Sequence, residues 1–152
     1  MLTIFWNPNG FHLVRVLLKG CTFNGDYFIN AILDPIYQMT APLREEYGRS
    51  IILHYDNAKP HNSSKVLKYL ESHDMIKAPQ PPFSPDIAPS DFYLFGYIKK
   101  VLEGQSFDSP EQLLQTVNQI LDSIPSQELQ DTFQNWQMRL NQVITNNGEY
   151  IE

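Results

Sequence analysis

Two aspartates in this sequence stand where a folded chain could put a carboxylate to chemical use. Asp56 follows the apolar run Ile51-Ile52-Leu53 by three residues. Such a run reads as a strand, and open α/β sheets gather ligands at the C-terminal ends of their strands. Asp91 lies in the first turn of a helix predicted to start near Pro89-Ser90. At about 100° per residue it shares a stripe with Leu94, Phe95, Ile98 and Leu102, so it is predicted at the near end of the apolar face, half-buried and aimed at the sheet edge. A carboxylate withdrawn from water is costly unless it is hydrogen-bonded, paired or bound to a metal. Two that converge on one sheet edge make a hard-oxygen site suited to Mg²⁺ or Mn²⁺. A pair of such ions can hold both the attacking and the leaving oxygen of a phosphodiester. The plainer alternative is that Asp91 is a helix-dipole partner and Asp56 a turn residue.

The elements that must position these residues are legible in the pattern. Residues 2–6 and 11–18 read as two strands joined by the turn Asn7-Pro8-Asn9-Gly10, in which Pro presets one backbone angle and Gly accepts a positive one. Residues 25–48 read as a helix, with Tyr27, Phe28, Ile32, Ile36 and Tyr37 on one side and Pro35 set to kink or break it. The run at 51–53 is continuous and not alternating, which predicts a strand covered on both faces. A helix over 62–73 turns Val66, Leu67 and Leu70 inward, and a short strand follows near Met75 to Ala78. Residues 79–89 are too rich in proline for a regular element. The next helix runs to about Glu103 and stops at Gly104. Ser109-Pro110-Glu111-Gln112 is a capping sequence for another helix. A last helix over 127–145 carries Leu129, Phe133, Trp136, Leu140 and Val143. The order β-β-α-β-α-β-α-α-α predicts an α/β layer architecture, in one domain with an α/β part at 1–104 and a helical tail at 105–152.

Composition narrows the function. The 152 residues have an ordinary apolar content, and no apolar run is long enough to span a bilayer. No signal peptide is evident at the N-terminus, which predicts an intracellular protein with no membrane partner. Cys21 is the single cysteine, so no internal disulfide and no Cys/His zinc site is predicted. The net charge of -6 argues against generic nucleic-acid binding. The charge is uneven, however. Residues 1–100 hold ten Lys/Arg and nine Asp/Glu; residues 101–152 hold Arg139 alone against eight acidic residues. Any DNA-facing surface should therefore lie within the first hundred residues, with the acidic tail turned away; the plainer alternative is that the tail is simply soluble surface. Lys59, Lys65, Lys68, Lys99 and Lys100 would be the phosphate contacts of such a DNA-facing surface, or are simply solvated surface lysines.

The local sequences around the two aspartates add a resemblance. Residues 53–61, Leu-His-Tyr-Asp-Asn-Ala-Lys-Pro-His, resemble the segment around the second catalytic aspartate of mariner-type transposases. Residues 81–95, Pro-Pro-Phe-Ser-Pro-Asp-Ile-Ala-Pro-Ser-Asp-Phe-Tyr-Leu-Phe, resemble the segment that carries the third. Thirty-four residues separate Asp56 from Asp91, as in the mariner branch of the DDE/D superfamily. The opening at residues 5–10 and the ending at 147–152 are similar to that family too. This resemblance implies a ribonuclease H-like mixed sheet flanked by helices. It also implies cut-and-paste DNA transposition with two Mg²⁺ or Mn²⁺ ions, and transposon ends and target DNA as partners. Carried over by position, Asp56 and Asp91 would be the catalytic metal ligands. His54, Asn57 and His61 flank the site, as support for the ligands, as DNA-backbone contacts, or simply as satisfied polar groups near a strand end. Asp86 is a further acidic candidate, more in keeping with a turn or cap.

The resemblance has a gap. Family members carry the first catalytic aspartate on a strand upstream of the position matching Leu2, and this sequence has no acidic residue before Asp26. The 152 residues are thus expected to lack the first strand of the sheet and to be inactive alone. They are also expected to be poorly stable, or to pair as a homodimer or with a transposase partner, because unpaired strand edges are costly. A non-catalytic module that dimerises with or inhibits a full-length transposase is the alternative, with the stripe Leu129, Phe133, Trp136 and Leu140 as its interface, although such a stripe is more often core.

Overall fold

A computed structural model describes residues 1–151. The strands are β1 (Leu2–Asn7), β2 (Gly10–Val16), β3 (Ile51–Leu53) and β4 (Met75–Lys77). The helices are α1 (Gly25–Phe28), α2 (Asp34–Met39), α3 (Ala41–Tyr47), α4 (Ser64–Ser72), α5 (Phe95–Leu102), α6 (Pro110–Asp122) and α7 (Ser126–Thr145). β1 and β2 pair antiparallel, β3 and β4 parallel. Both kinds of pairing in the predicted mixed sheet are present, as two separate pairs among the described residues. The chain divides into two compact units, one formed by Met1 and Leu17–Pro82, the other by Leu2–Val16 and the residues from Phe83 on.

In the first unit, Phe28, Ile32, Leu33, Ile36, Leu53, Val66, Leu70 and Met75 are buried. The predicted helix over 25–48 is present in three pieces with a wide turn between the first two. Residues Ile29–Leu33 form a π turn closed by the Asp34 N–H on the Ile29 carbonyl. The wide turn stands directly before Pro35, whose ring would clash with a carbonyl in a regular helix, so the helix passes the proline without breaking. The break comes later, at Thr40, where the hydroxyl donates to the Ile36 carbonyl and Pro42 opens α3. β3 departs from its reading. Leu53 is buried, but Ile52 is 70% exposed and its register partner Ile76 is exposed as well. The described elements of this unit cover one face of the β3–β4 pair and leave the other open, so the continuous apolar run does not have the two-sided cover it predicts.

In the second unit the hairpin supplies Leu2, Ile4 and Trp6 from one face of β1 to a core of Leu94, Ile98, Val117, Ile120, Leu121, Ile124 and Leu129. Asn7 Oδ1 accepts the Asn9 N–H across the tight turn, and the register shifts between Phe5 and Trp6. α6 starts as its sequence predicts: Ser109 Oγ accepts the Gln112 N–H while Gln112 Oε1 accepts the Asp108 N–H. The stripe on α7 is core and not a free interface. Leu129 is buried, Phe133 and Trp136 are half-buried, and Phe133 meets the Trp6 ring edge-on at 5.0 Å between centroids.

Close packing in the first unit gives a direct test. A Cβ on Gly25 would stand 2.4 Å from Ser63 Oγ, a buried hydroxyl with no hydrogen-bond partner among the described residues. Gly25→Ala should therefore destabilise by about 1–3 kcal/mol through overpacking. Ser63→Ala, which removes an unsatisfied hydroxyl, should be neutral or stabilising. Chemical denaturation of the double variant should recover most of the loss; an additive result would rule out this contact as the cause.

Candidate functional site

Asp56 stands three residues past the end of β3, and two donors hold one of its oxygens. Oδ1 accepts the Ala58 N–H at 3.1 Å and an N–H from His61 Nδ1. The first bond turns the chain sharply after the strand; the second reaches back from the short helical turn Lys59–Asn62. His61 is itself held by aromatic rings. Phe28, Phe23 and Tyr55 lie 4.4, 5.3 and 5.2 Å from its centroid. The side chain of His61 is 15% exposed while that of Asp56 is 68% exposed. The arrangement is a carboxylate fixed through one oxygen, with the other open to solvent. An exposed, anchored carboxylate oxygen fits a hard divalent cation.

The polar groups around it are mutually satisfied. His54 Nε2–H donates to Gln80 Oε1 at 2.6 Å, and Asn57 Nδ2 donates to the Gln80 carbonyl at 2.6 Å. Both residues therefore tie the end of β3 to the segment after β4, in keeping with the plainer reading of each. Lys77 was not among the sequence candidates, yet it is central here. Its Nζ donates to Asn57 Oδ1 at 2.9 Å and Asn62 Oδ1 at 2.8 Å, and it lies 4.9 Å from the Tyr55 ring centroid. Partial burial lowers the Lys77 pKa, and the Asp56 charge opposes that shift. Only the register Leu53↔Lys77 brings it beside Asp56, and nothing in its local sequence signals that. Lys65 is engaged elsewhere, in a two-pronged pair with Asp26 at 2.9 and 3.0 Å.

Asp91 belongs to the second unit, and its setting corrects the predicted stripe. Residues Ser90–Leu94 form a π turn closed by the Phe95 N–H on the Ser90 carbonyl. The extra residue in that turn shifts the helical phase. Leu94 and Ile98 are buried, whereas Asp91 and Phe95 are exposed. Asp91 is thus turned to solvent and not half-buried on the apolar face. Three side chains hold the segment before it, two by backbone carbonyls and one by the Ser90 hydroxyl. Trp6 Nε1–H donates to Ser90 Oγ at 3.1 Å, Trp136 Nε1–H to the Ile87 carbonyl at 2.8 Å, and Arg139 to the Asp86 carbonyl at 3.0 Å. Asp86 is buried, which suits a structural part better than a ligand. Among the described residues no three His, Cys, Asp or Glu side chains gather as a metal-binding group.

The Tyr55 hydroxyl is buried with no hydrogen-bond partner among the described residues, and burial raises its pKa from 10.0 to about 12. The unfolded chain loses that proton first, so the contribution of this residue to stability falls as pH rises from 10 towards 12. Tyr55→Phe should leave stability at neutral pH unchanged or higher, and should make the alkaline loss shallower. Thermal melts across that range check both; a steeper alkaline loss in the variant would contradict the assignment.

No protein-family model matches the chain. It is 30% identical over 115 residues to the Mariner Mos1 transposase of Drosophila mauritiana, covering 74% of this chain and 33% of that protein. It is 26% identical over 126 residues to the human histone-lysine N-methyltransferase SETMAR, covering 81% of this chain and 18% of that protein. The chain thus spans a third or less of the length of these relatives. The crystal structure of the catalytic domain of Mos1 mariner transposase superposes with a TM-score of 0.89 at 24% identity, over 99% of this chain and 75% of that one. The fold is therefore ribonuclease H-like, as the resemblance implies. The two aspartate motifs and this homology together support a mariner-like transposase catalytic domain as what the chain matches in sequence and in fold.

Proposed function

We propose that this chain is a segment of a DNA transposase in which Asp56 and Asp91 each act as a metal ligand, for Mg²⁺ or Mn²⁺. The observation that carries this reading is the setting of Asp56: one oxygen held by Ala58 and His61, the other open, on an exposed side chain. Asp91 suits the same task, being exposed on a turn held from β1 through the Ser90 hydroxyl and from α7 through the Ile87 carbonyl. The Mos1 catalytic domain has been solved with Mg and with Mn, and Mos1 as a paired end complex with Mn. By homology the partners of this chain are DNA and a second transposase chain. Two divalent ions in the complete site would neutralise charge on the phosphodiester as it is cut and joined. The chain's own residues orient the carboxylates and meet the DNA. Lys59, Lys68, Lys99 and Lys100 are exposed and suited to phosphates, and the Phe83 ring, 98% exposed, is suited to stacking on a base.

These 152 residues hold two of the three carboxylates of the family pattern, so by themselves they should bind a cation without cutting DNA. Calorimetric titration with Mn²⁺ should show binding that Asp56→Asn and Asp91→Asn each abolish. Binding unchanged in both variants would end the metal reading. Incubation with supercoiled plasmid and Mg²⁺ should leave the plasmid intact; nicking that Asp56→Ala abolishes would show that two carboxylates suffice.

The exposed pair Ile52 and Ile76 favours a second reading, a non-catalytic module that pairs with a full-length transposase. Co-purification that Ile52→Lys abolishes would support it, whereas a monomer at all concentrations, failing to capture the transposase, would exclude it.

A further inference from the structure

The proline-rich segment that leads into Asp91 ends on a buried carboxylate that neither the metal reading nor the hairpin contacts use. Asp86 is 5% exposed. Its Oδ2 accepts the N–H of Ile151 at 3.0 Å, across 65 residues of sequence, while its Oδ1 is buried with no partner among the described residues. The residues that lead to Ile151 are tied to the end of α7 by backbone bonds, the N–H groups of Asn147, Gly148 and Glu149 donating to the carbonyls of Ile144, Val143 and Asn146 at 3.3, 2.8 and 3.3 Å. Asn147, Glu149 and Tyr150 are exposed, and Asn147 and Gly148 take positive φ angles of 56° and 91°. Residues 147–151 thus leave α7 through a left-handed turn and reach an anchor on Asp86. That anchor lies five residues before Asp91, inside the segment that Trp136 and Arg139 grip. The Arg139 guanidinium spans both ends of the segment: it donates to the Asp86 carbonyl and lies 4.5 Å from the ring of Phe92, the neighbour of Asp91.

We infer that the C-terminal segment is a latch, and that Asp86 is the positioning residue through which it holds the Asp91 turn in place. This rests on the reading of Asp91 as a metal ligand. With the latch closed, the Asp86 carboxylate has an N–H donor. With it open, the same buried carboxylate has lost its one side-chain hydrogen bond among the described residues, and an unsatisfied buried charge is costly enough to draw in water or shift the segment. The 3₁₀ turn Pro85–Ile87 and the π turn Ser90–Leu94 are linked by Ala88 and Pro89 alone, so a shift at Asp86 passes directly to Asp91. The carbonyl of Ala88 is the joint, since it accepts the N–H groups of Asp91 at 2.8 Å and Phe92 at 3.0 Å. A terminal segment of mostly exposed residues opens at low cost compared with the core. Anything that captures residues 147–151 would therefore loosen the Asp91 carboxylate, and anything that seats them would tighten it.

The test uses the full chain with Ile151→Pro, which removes the N–H and keeps the rest of the segment, alongside Asp86→Ala and Asp86→Asn. Two quantities are read: amide hydrogen exchange at Asp91 and Phe92, and Mn²⁺ affinity by titration. Ile151→Pro and Asp86→Ala should speed exchange at those two amides while leaving α6 unchanged. They should also weaken Mn²⁺ by about tenfold, the effect typical of losing a group that orients a metal ligand. Asp86→Asn, which keeps an oxygen to accept the Ile151 N–H, should restore most of both. Unchanged exchange in Ile151→Pro overturns the latch. Faster exchange with unchanged Mn²⁺ affinity, where Asp91→Asn does abolish binding, overturns its link to the metal. If Asp91→Asn itself leaves Mn²⁺ affinity untouched, the metal reading falls on its own, and exchange still decides the latch.

Discussion

Three side-chain donors, Trp6, Trp136 and Arg139, hold the polypeptide from Asp86 to Ser90 by its oxygens, and the placement of Asp91 follows from that grip. A carboxylate offered to solvent on a helix start is ordinarily free to wander with its backbone. Each donor contributes only about 0.5–1.5 kcal/mol net. Their value lies in direction, because they arrive from β1 and from α7, two elements already fixed by a shared core. The π turn completes the arrangement. Its additional residue lets Leu94 and Ile98 stay buried while Asp91 faces outward.

Asp56 meets the same requirement by a different route. Its backbone is held by its own short turn, through Ala58, and its side chain by a histidine wedged among Phe28, Phe23 and Tyr55. The aromatic packing restricts His61, and the ring in turn restricts the carboxylate. Lys77 adds a second constraint by gripping Asn57 and Asn62, the residues on either side of that turn. Both aspartates are thus exposed groups on restrained backbone, the condition that a cation ligand needs and a mere surface charge does not.

The helical tail changes its meaning once the contacts are known. From charge alone it is an acidic surface turned away from DNA. In the fold, its one basic residue, Arg139, is the residue that reaches the Asp86 carbonyl and the Phe92 ring. The stripe of Leu129, Phe133 and Trp136 is likewise spent on the core and on the Asp91 loop, which leaves the exposed Ile52–Ile76 face as the better candidate for a partner.

Local patterns sufficed to specify much of this protein. The hairpin with its turn, the capped start of α6, the apolar face of α7, Val66 and Leu70 on α4 and the two aspartate motifs all depend on residues close in sequence, where propensity, capping and periodicity act directly; Leu67, predicted inward on α4, is instead exposed. The positions of the two π turns did not follow from those patterns, because a wide turn is a compromise between local helix geometry and the packing of residues far away. The same holds for Lys77 beside Asp56, for Trp6 on Ser90 and for Ile151 on Asp86. Each joins residues 21 to 84 positions apart. Such contacts carry no periodic trace in the sequence, since they are decided only when whole elements settle against one another.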